Sequence, residues 1–135
     1  MNELNAGDVW RIHEELERDA ASALGRAMFA FSSLDMNLGL MVASALRYLG
    51  KESQAAKVDS LNFKVRLEFV ENYVVTTPEV DPKAVSAVRA WVSQAHTARL
   101  QRNQLVHGRW GVDPYKRKAL NIVGLPSSDA QQTFE

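Results

Sequence analysis

Arg102 and His107 stand five residues apart with Asn103 between them, and these three side chains together offer phosphate chemistry. A guanidinium is always charged and can bond a phosphate through two N–H groups, stabilising charge that develops on its oxygens. An imidazole can take or give a proton near neutral pH, which suits His107 to general acid or base work. Asn103, one helical turn before His107, can orient the ring or a phosphate by hydrogen bonding. His96, Asn103 and His107 fall on one flank of a helix at spacings of seven and four. Cysteine is absent, which excludes disulfides, Cys-ligated zinc, iron-sulfur clusters and thiol nucleophiles. No carboxylate cluster or histidine pair has metal-ligand spacing, so neither a metal nor another cofactor is expected.

These residues must be held by the end of a helix. Asp81-Pro82 places a capping residue before proline at the first helical position, and Gly108 directly after His107 reads as the left-handed glycine of a helix C-terminus. The last long helix therefore spans residues 82–107. Turned by about 100° per residue, it puts Ala84, Val88, Trp91, Ala95, Ala98, Leu105 and Val106 on one face, with Arg102 near the centre. An arginine in a core stripe must meet a carboxylate, an anionic ligand or a water-filled cleft, because burying its charge alone costs several kcal/mol. If its role is purely structural, Asp35, which falls within the main apolar face of an earlier helix, is its partner.

Upstream, apolar residues recur at three and four over residues 8–49, with Asp8 as a cap and Gly50 past the end. Ser22 and Gly25 are weak helix formers, so two helices with a break between them are expected. The second, residues 24–49, carries a broad face of Leu24, Ala27, Phe31, Leu34, Leu38, Val42, Ala45 and Leu49 and an opposite row of Phe29, Met36 and Leu40. A helix apolar on two sides is central in a domain or shared with a second subunit. Ser60 can cap a third helix to about Val75, with one row of Leu61, Val65, Phe69 and Tyr73 and another of Phe63, Leu67, Val70 and Val74. After Gly108, Asp113-Pro114 reads as a turn, Leu120 and Ile122 as a short strand, and the tail from Pro126 as mobile.

At 135 residues, 46 % hydrophobic and 24 % charged, the chain has the size and composition of one packed domain. The expected organisation is a single helical domain over residues 1–125 and a flexible tail over 126–135. The fold class is all-α, an antiparallel four- to five-helix bundle with a short irregular or hairpin-like C-terminal piece. The acidic start lacks the pattern of a signal peptide, and no uncharged apolar run is long enough for a bilayer, so a cytoplasmic protein without a membrane partner is expected. The net charge of zero is unevenly laid out. Residues 1–81 hold 13 acidic and 8 basic side chains, a net of −5. Residues 82–118 hold eight basic ones against Asp113 alone, a net of +7. Either a basic face meets an anionic partner or the two segments neutralise each other within the fold.

The run Arg102-Asn103-Gln104-Leu105-Val106-His107 resembles the R-x4-6-H motif, with a polar residue after the arginine, that ends a helix in HEPN domains. The stretch around Phe31, Leu34 and Asp35 is similar to the second helix of some HEPN-like proteins, where glutamate is commoner than this aspartate. The resemblance covers most of the first 110 residues. It implies metal-independent RNA cleavage, in which a ribose 2′-hydroxyl attacks the adjacent phosphate and leaves a cyclic phosphate end. Arg102 would hold the phosphate, His107 would move a proton and Asn103 would assist. Arg99 and Arg109 would bind substrate, and Asp35 would support the site. Many family members are toxins countered by an antitoxin protein; others bind RNA, a nucleotide or a protein partner without catalysis.

Five helical residues separate Arg102 and His107 by about 7.5 Å along the axis and about 140° around it. One pair does not readily converge on one phosphorus. Two copies related by a twofold axis bring both pairs to a shared cleft, the arrangement the resemblance implies, and the row of Phe29, Met36 and Leu40 offers a surface for that homodimer. Lys116, Arg117 and Lys118 could contact RNA backbone. Trp110 could stack on a base, whereas Trp91 lies on the core face and reads as packing.

Overall fold

The side chain of Asn5 opens the first helix: its Oδ1 accepts the Asp8 amide at 2.9 Å, and α1 runs from Ala6–Tyr48. A computed structural model of the chain describes residues 3–122. The cap is therefore Asn5 rather than Asp8, which sits in the first turn, where a carboxylate complements the helix dipole. α1 does not break at Ser22 or Gly25. One glycine costs a helix about 1 kcal/mol, too little to interrupt a run flanked by Ala20, Ala21, Ala23, Leu24, Ala27 and Met28. α1 ends as expected at Gly50, whose φ is +73°. Its amide reaches the Arg47 carbonyl at 2.9 Å and that of Lys51 reaches Leu46 at 2.9 Å, the double closure of a Schellman motif.

The short helix α2, Glu52–Ala55, and a 3-10 turn, Val58–Ser60, lead to α3, Phe63–Thr76. Asn62 caps α3, its side chain accepting the Val65 amide at 2.9 Å. Ser60, expected to do this, instead donates its hydroxyl to the Lys57 carbonyl at 2.6 Å, closing the 3-10 turn. α4 spans Pro82–His107, the bounds read from the sequence, with Asp81 Oδ1 accepting the Lys83 amide at 2.8 Å. β1, Arg109–Asp113, and β2, Lys118–Ile122, form an antiparallel hairpin in which Trp110 lies opposite Asn121 and Gly111 opposite Leu120. The Asp113 carboxylate accepts the amides of Tyr115 and Lys116, holding the expected turn. The chain is thus mostly helical with a small C-terminal hairpin. The proposed tail from Pro126 lies outside the described residues.

Among the described residues the contacts divide the chain into two compact units, residues 30–101 and, from the two ends, residues 3–29 with 102–122. In the first, Leu38, Val42, Ala43 and Leu46 of α1, Ala55 and Val58, Phe63, Leu67 and Val70 of α3, and Val92 and Ala95 of α4 make one apolar core. Phe31, Leu34, Phe69, Val88 and Trp91 pack on it, so Trp91 is a packing residue as its face predicted. In the second unit Ile12 of α1 and Asn121 of β2 are buried.

Of the opposite row on α1, Phe29 is 81 % exposed, Met36 61 % and Leu40 63 %. By length and composition alone α1 is long and apolar enough to cross a membrane, although no such run was expected from the sequence. The expectation counted uncharged runs, whereas every stretch of α1 that long contains a charged side chain such as Asp35, which a criterion of length and mean composition tolerates.

Candidate functional site

Helix ends leave carbonyls without intrahelical partners, and the hairpin supplies donors to those of α4. The Asn121 amide Nδ2 donates to the Gln104 carbonyl at 3.1 Å, and the Trp110 indole Nε1 donates to Leu105 at 2.9 Å. The Gly108 amide also reaches Gln104, at 2.9 Å, extending the helical pattern one residue past His107. Gly108 does not have the left-handed conformation expected of it; Gly50 alone among the described glycines has a positive φ. Its requirement is space. A Cβ on Gly108 would overlap the carboxamide of Asn121, which is completely buried. The last turn of α4, and His107 with it, is therefore pinned by side chains of β1 and β2.

His107 is exposed at this terminus, while Arg102 and Asn103 are half-buried one turn or more earlier. Arg102 Nε is shielded from solvent, and Arg102 and Arg109 are each engaged with partners of their own. Arg102 is thus not enclosed in a core stripe. Val106, assigned to the same face, is 49 % exposed. Because α4 is continuous through His107, the divergence of about 140° between Arg102 and His107 holds. Arg109 is exposed at the first position of β1, next to the pinned glycine. Arg102, Asn103, His107 and Arg109 share one compact unit; Arg99, half-buried on α4, and Asp35 belong to the other.

Asp35, considered as a structural partner for Arg102, gives its carboxylate to Arg66 instead. Arg66 Nη1 donates to Asp35 Oδ1 at 2.9 Å and to the Asp35 carbonyl at 3.3 Å, and Nη2 donates to the Asp59 carbonyl at 3.3 Å. The Arg66 side chain is only 8 % exposed and that of Asp35 44 %. Gly39 admits this arrangement, since a Cβ there would lie 3.2 Å from Nη1. The sequence reading missed Arg66, yet a signal existed. It lies three residues after Phe63 and one before Leu67, inside the apolar row of α3.

Two further side chains were missed, His13 and Glu17 on α1. His13 Nδ1 lies 3.7 Å from Glu17 Oε2, and its ring stacks on Trp10 with centroids 5.7 Å apart and planes 4° from parallel. They were legible only as an i, i+4 pair, the commonest surface pattern on a helix. Among the described residues no group of three or more His, Asp or Glu side chains could hold a metal ion. Comparison of the chain with protein-family models, curated proteins and solved structures finds no match.

Proposed function

We propose that this chain is a HEPN-like, metal-independent endoribonuclease that works as a homodimer in the cytoplasm, in the role of a toxin restrained by an antitoxin protein. Its helices would form the antiparallel four- to five-helix bundle of that family. The observation that carries this reading is the placement of the R-x4-6-H run: α4 stays helical through it, stops at His107, and leaves that imidazole exposed. Asn103 and Arg102 precede it on the same helix, and Arg109 follows at the first position of the hairpin.

In the reaction, the ribose 2′-oxygen bonds to phosphorus as the bond from phosphorus to the 5′-oxygen breaks. The 2′-hydroxyl gives up its proton to a base and the leaving oxygen takes one from an acid; one imidazole from each subunit can fill these two roles. Arg102 holds the phosphoryl oxygens and offsets their growing charge. The products are a 2′,3′-cyclic phosphate and a 5′-hydroxyl. Arg99 and Arg109 hold neighbouring phosphates. Asp35, committed to Arg66, acts on the site only through the fold. The exposed Met36 and Leu40 supply apolar surface for the subunit contact.

The divergence of Arg102 and His107 favours a second reading, a related domain that binds RNA without cutting it. Incubating RNA with wild-type protein in EDTA, beside His107→Ala and Arg102→Ala, separates the two. Cleavage by wild type alone supports the nuclease; binding by all three with intact RNA throughout favours the second reading.

A further inference from the structure

The unit that holds Arg102 and His107 also contains an open cleft of about 450 Å³ between the N-terminal part of α1 and strand β1. That volume lies in the range of small-ligand sites. Its lining divides by chemistry. Trp110 supplies an aromatic ring, Ala20 and Ala21 supply small apolar walls, and Glu17 and His13 supply the polar end.

Trp110 and His13 have partners that orient them. Trp110 is 38 % exposed, yet its Nε1 is tied to the Leu105 carbonyl two residues before His107, so what it offers a ligand is the carbon surface of the ring. His13 stacks on the Trp10 ring with the Glu17 carboxylate nearby, and it lines a second cleft with Trp10 and Tyr115. Trp10 and Tyr115 are 63 % and 73 % exposed. The hairpin beside them carries exposed cations at Arg109, Lys116 and Arg117. Exposed rings interleaved with cations are the surface that single-stranded nucleic acid prefers, because bases stack on the rings while the cations follow the phosphates.

We propose that this cleft receives one unpaired nucleobase of a single-stranded RNA, stacked on Trp110, with the Glu17 carboxylate accepting from an exocyclic amino group. The inference rests on the reading of the chain as acting on RNA, and it names the substrate class as single-stranded. A carboxylate can only accept hydrogen bonds when ionised, so it matches the exocyclic amino groups of cytosine, adenine and guanine, whereas uracil offers it only the ring N3–H, flanked by two carbonyl oxygens that repel it. Trp110 links the cleft to the chemistry, since the same indole that would carry the base caps the helix that presents His107.

The test is fluorescence anisotropy with 2′-O-methyl homopolymers of cytidine, adenosine and uridine, which lack the nucleophile and cannot be cut. Wild type is expected to prefer cytidine and adenosine over uridine. Trp110→Leu should weaken binding of the preferred homopolymers about tenfold, the loss of one stacked base. Trp110→Phe, which keeps a ring but not the N–H, should bind nearly as wild type. Glu17→Gln should abolish the preference over uridine while still binding. Unchanged affinity in folded Trp110→Leu, or an unchanged preference in Glu17→Gln, overturns the proposal. Cytidine monophosphate binding as tightly as the homopolymer would also overturn it, by making the cleft a nucleotide site. Cleavage of RNA that survives in a Trp110→Leu protein of unaltered affinity would leave the nuclease standing and this inference refuted. Preference and stacking without any cleavage by wild type would do the reverse.

Discussion

Replacing Gly108 with alanine places a methyl group where the buried carboxamide of Asn121 already lies. Two effects compete. Gly108 does not need the left-handed backbone, so alanine reduces the freedom of the unfolded chain and by itself stabilises by about 0.4–1 kcal/mol. The overlap opposes this. Overpacking a filled site costs about 1–3 kcal/mol, and Asn121, fully enclosed and bonded to the Gln104 carbonyl, cannot swing away cheaply. The clash wins, and Gly108→Ala should destabilise by about 1–1.5 kcal/mol in urea denaturation. Asn121→Ala alone should cost about 1–2 kcal/mol. It loses the bond to Gln104, though the Gly108 amide still reaches that carbonyl, and it removes a buried Oδ1 that has no hydrogen-bond partner. In the Asn121→Ala background the methyl group has room, so Gly108→Ala should become neutral or slightly stabilising. The double-mutant cycle should therefore show a coupling of about 2 kcal/mol. Equal cost of Gly108→Ala in both backgrounds would refute the steric argument and mean that the backbone itself requires glycine.

Other substitutions test the remaining structure. Asp35→Ala should cost about 3 kcal/mol, because it leaves the enclosed Arg66 guanidinium with carbonyls alone, whereas Arg66→Met should cost under about 1 kcal/mol, since Asp35 is 44 % exposed and water can solvate it; urea denaturation compares them. Asn62→Ala should cost about 1 kcal/mol and Ser60→Ala less than about 0.5 kcal/mol, because Asn62 caps α3; thermal melts read this difference. If the exposed row on α1 joins two subunits, Leu40→Glu should turn a dimer into a monomer in light scattering without lowering monomer stability.

The parts of the fold that could be read beforehand are those written in local chemistry. Asp81-Pro82 started α4 and His107-Gly108 ended it, Gly50 closed α1, and Asp113-Pro114 made the hairpin turn. What could not be read depends on competition or distance. A weak Gly25 loses to the strong helix formers around it. Asn5 and Asn62 prevail over the equally plausible Asp8 and Ser60 by where the helices begin. Arg66 looks like any surface arginine until the Asp35 carboxylate, thirty-one residues away, is found beside it. Gly108 was recognised as necessary for the wrong reason, because Asn121 returns to it only through the hairpin. Of the candidate site, the run on α4 and its terminus were legible; the support from Trp110 and Asn121 and the cleft at His13 and Glu17 were not, since β1 and β2 on one side and α1 on the other supply them from opposite ends of the chain.

In the proposed reaction Arg102 and His107 direct a ribose 2′-hydroxyl onto the adjacent phosphate. The most direct measurement is mass spectrometry of the RNA ends left after incubation with wild type and His107→Ala in EDTA. Wild type should leave 2′,3′-cyclic phosphate and 5′-hydroxyl ends, and His107→Ala should lower their yield about a hundredfold or more. Ends bearing a 3′-hydroxyl and 5′-phosphate, or equal cleavage by the two proteins, would contradict that reaction.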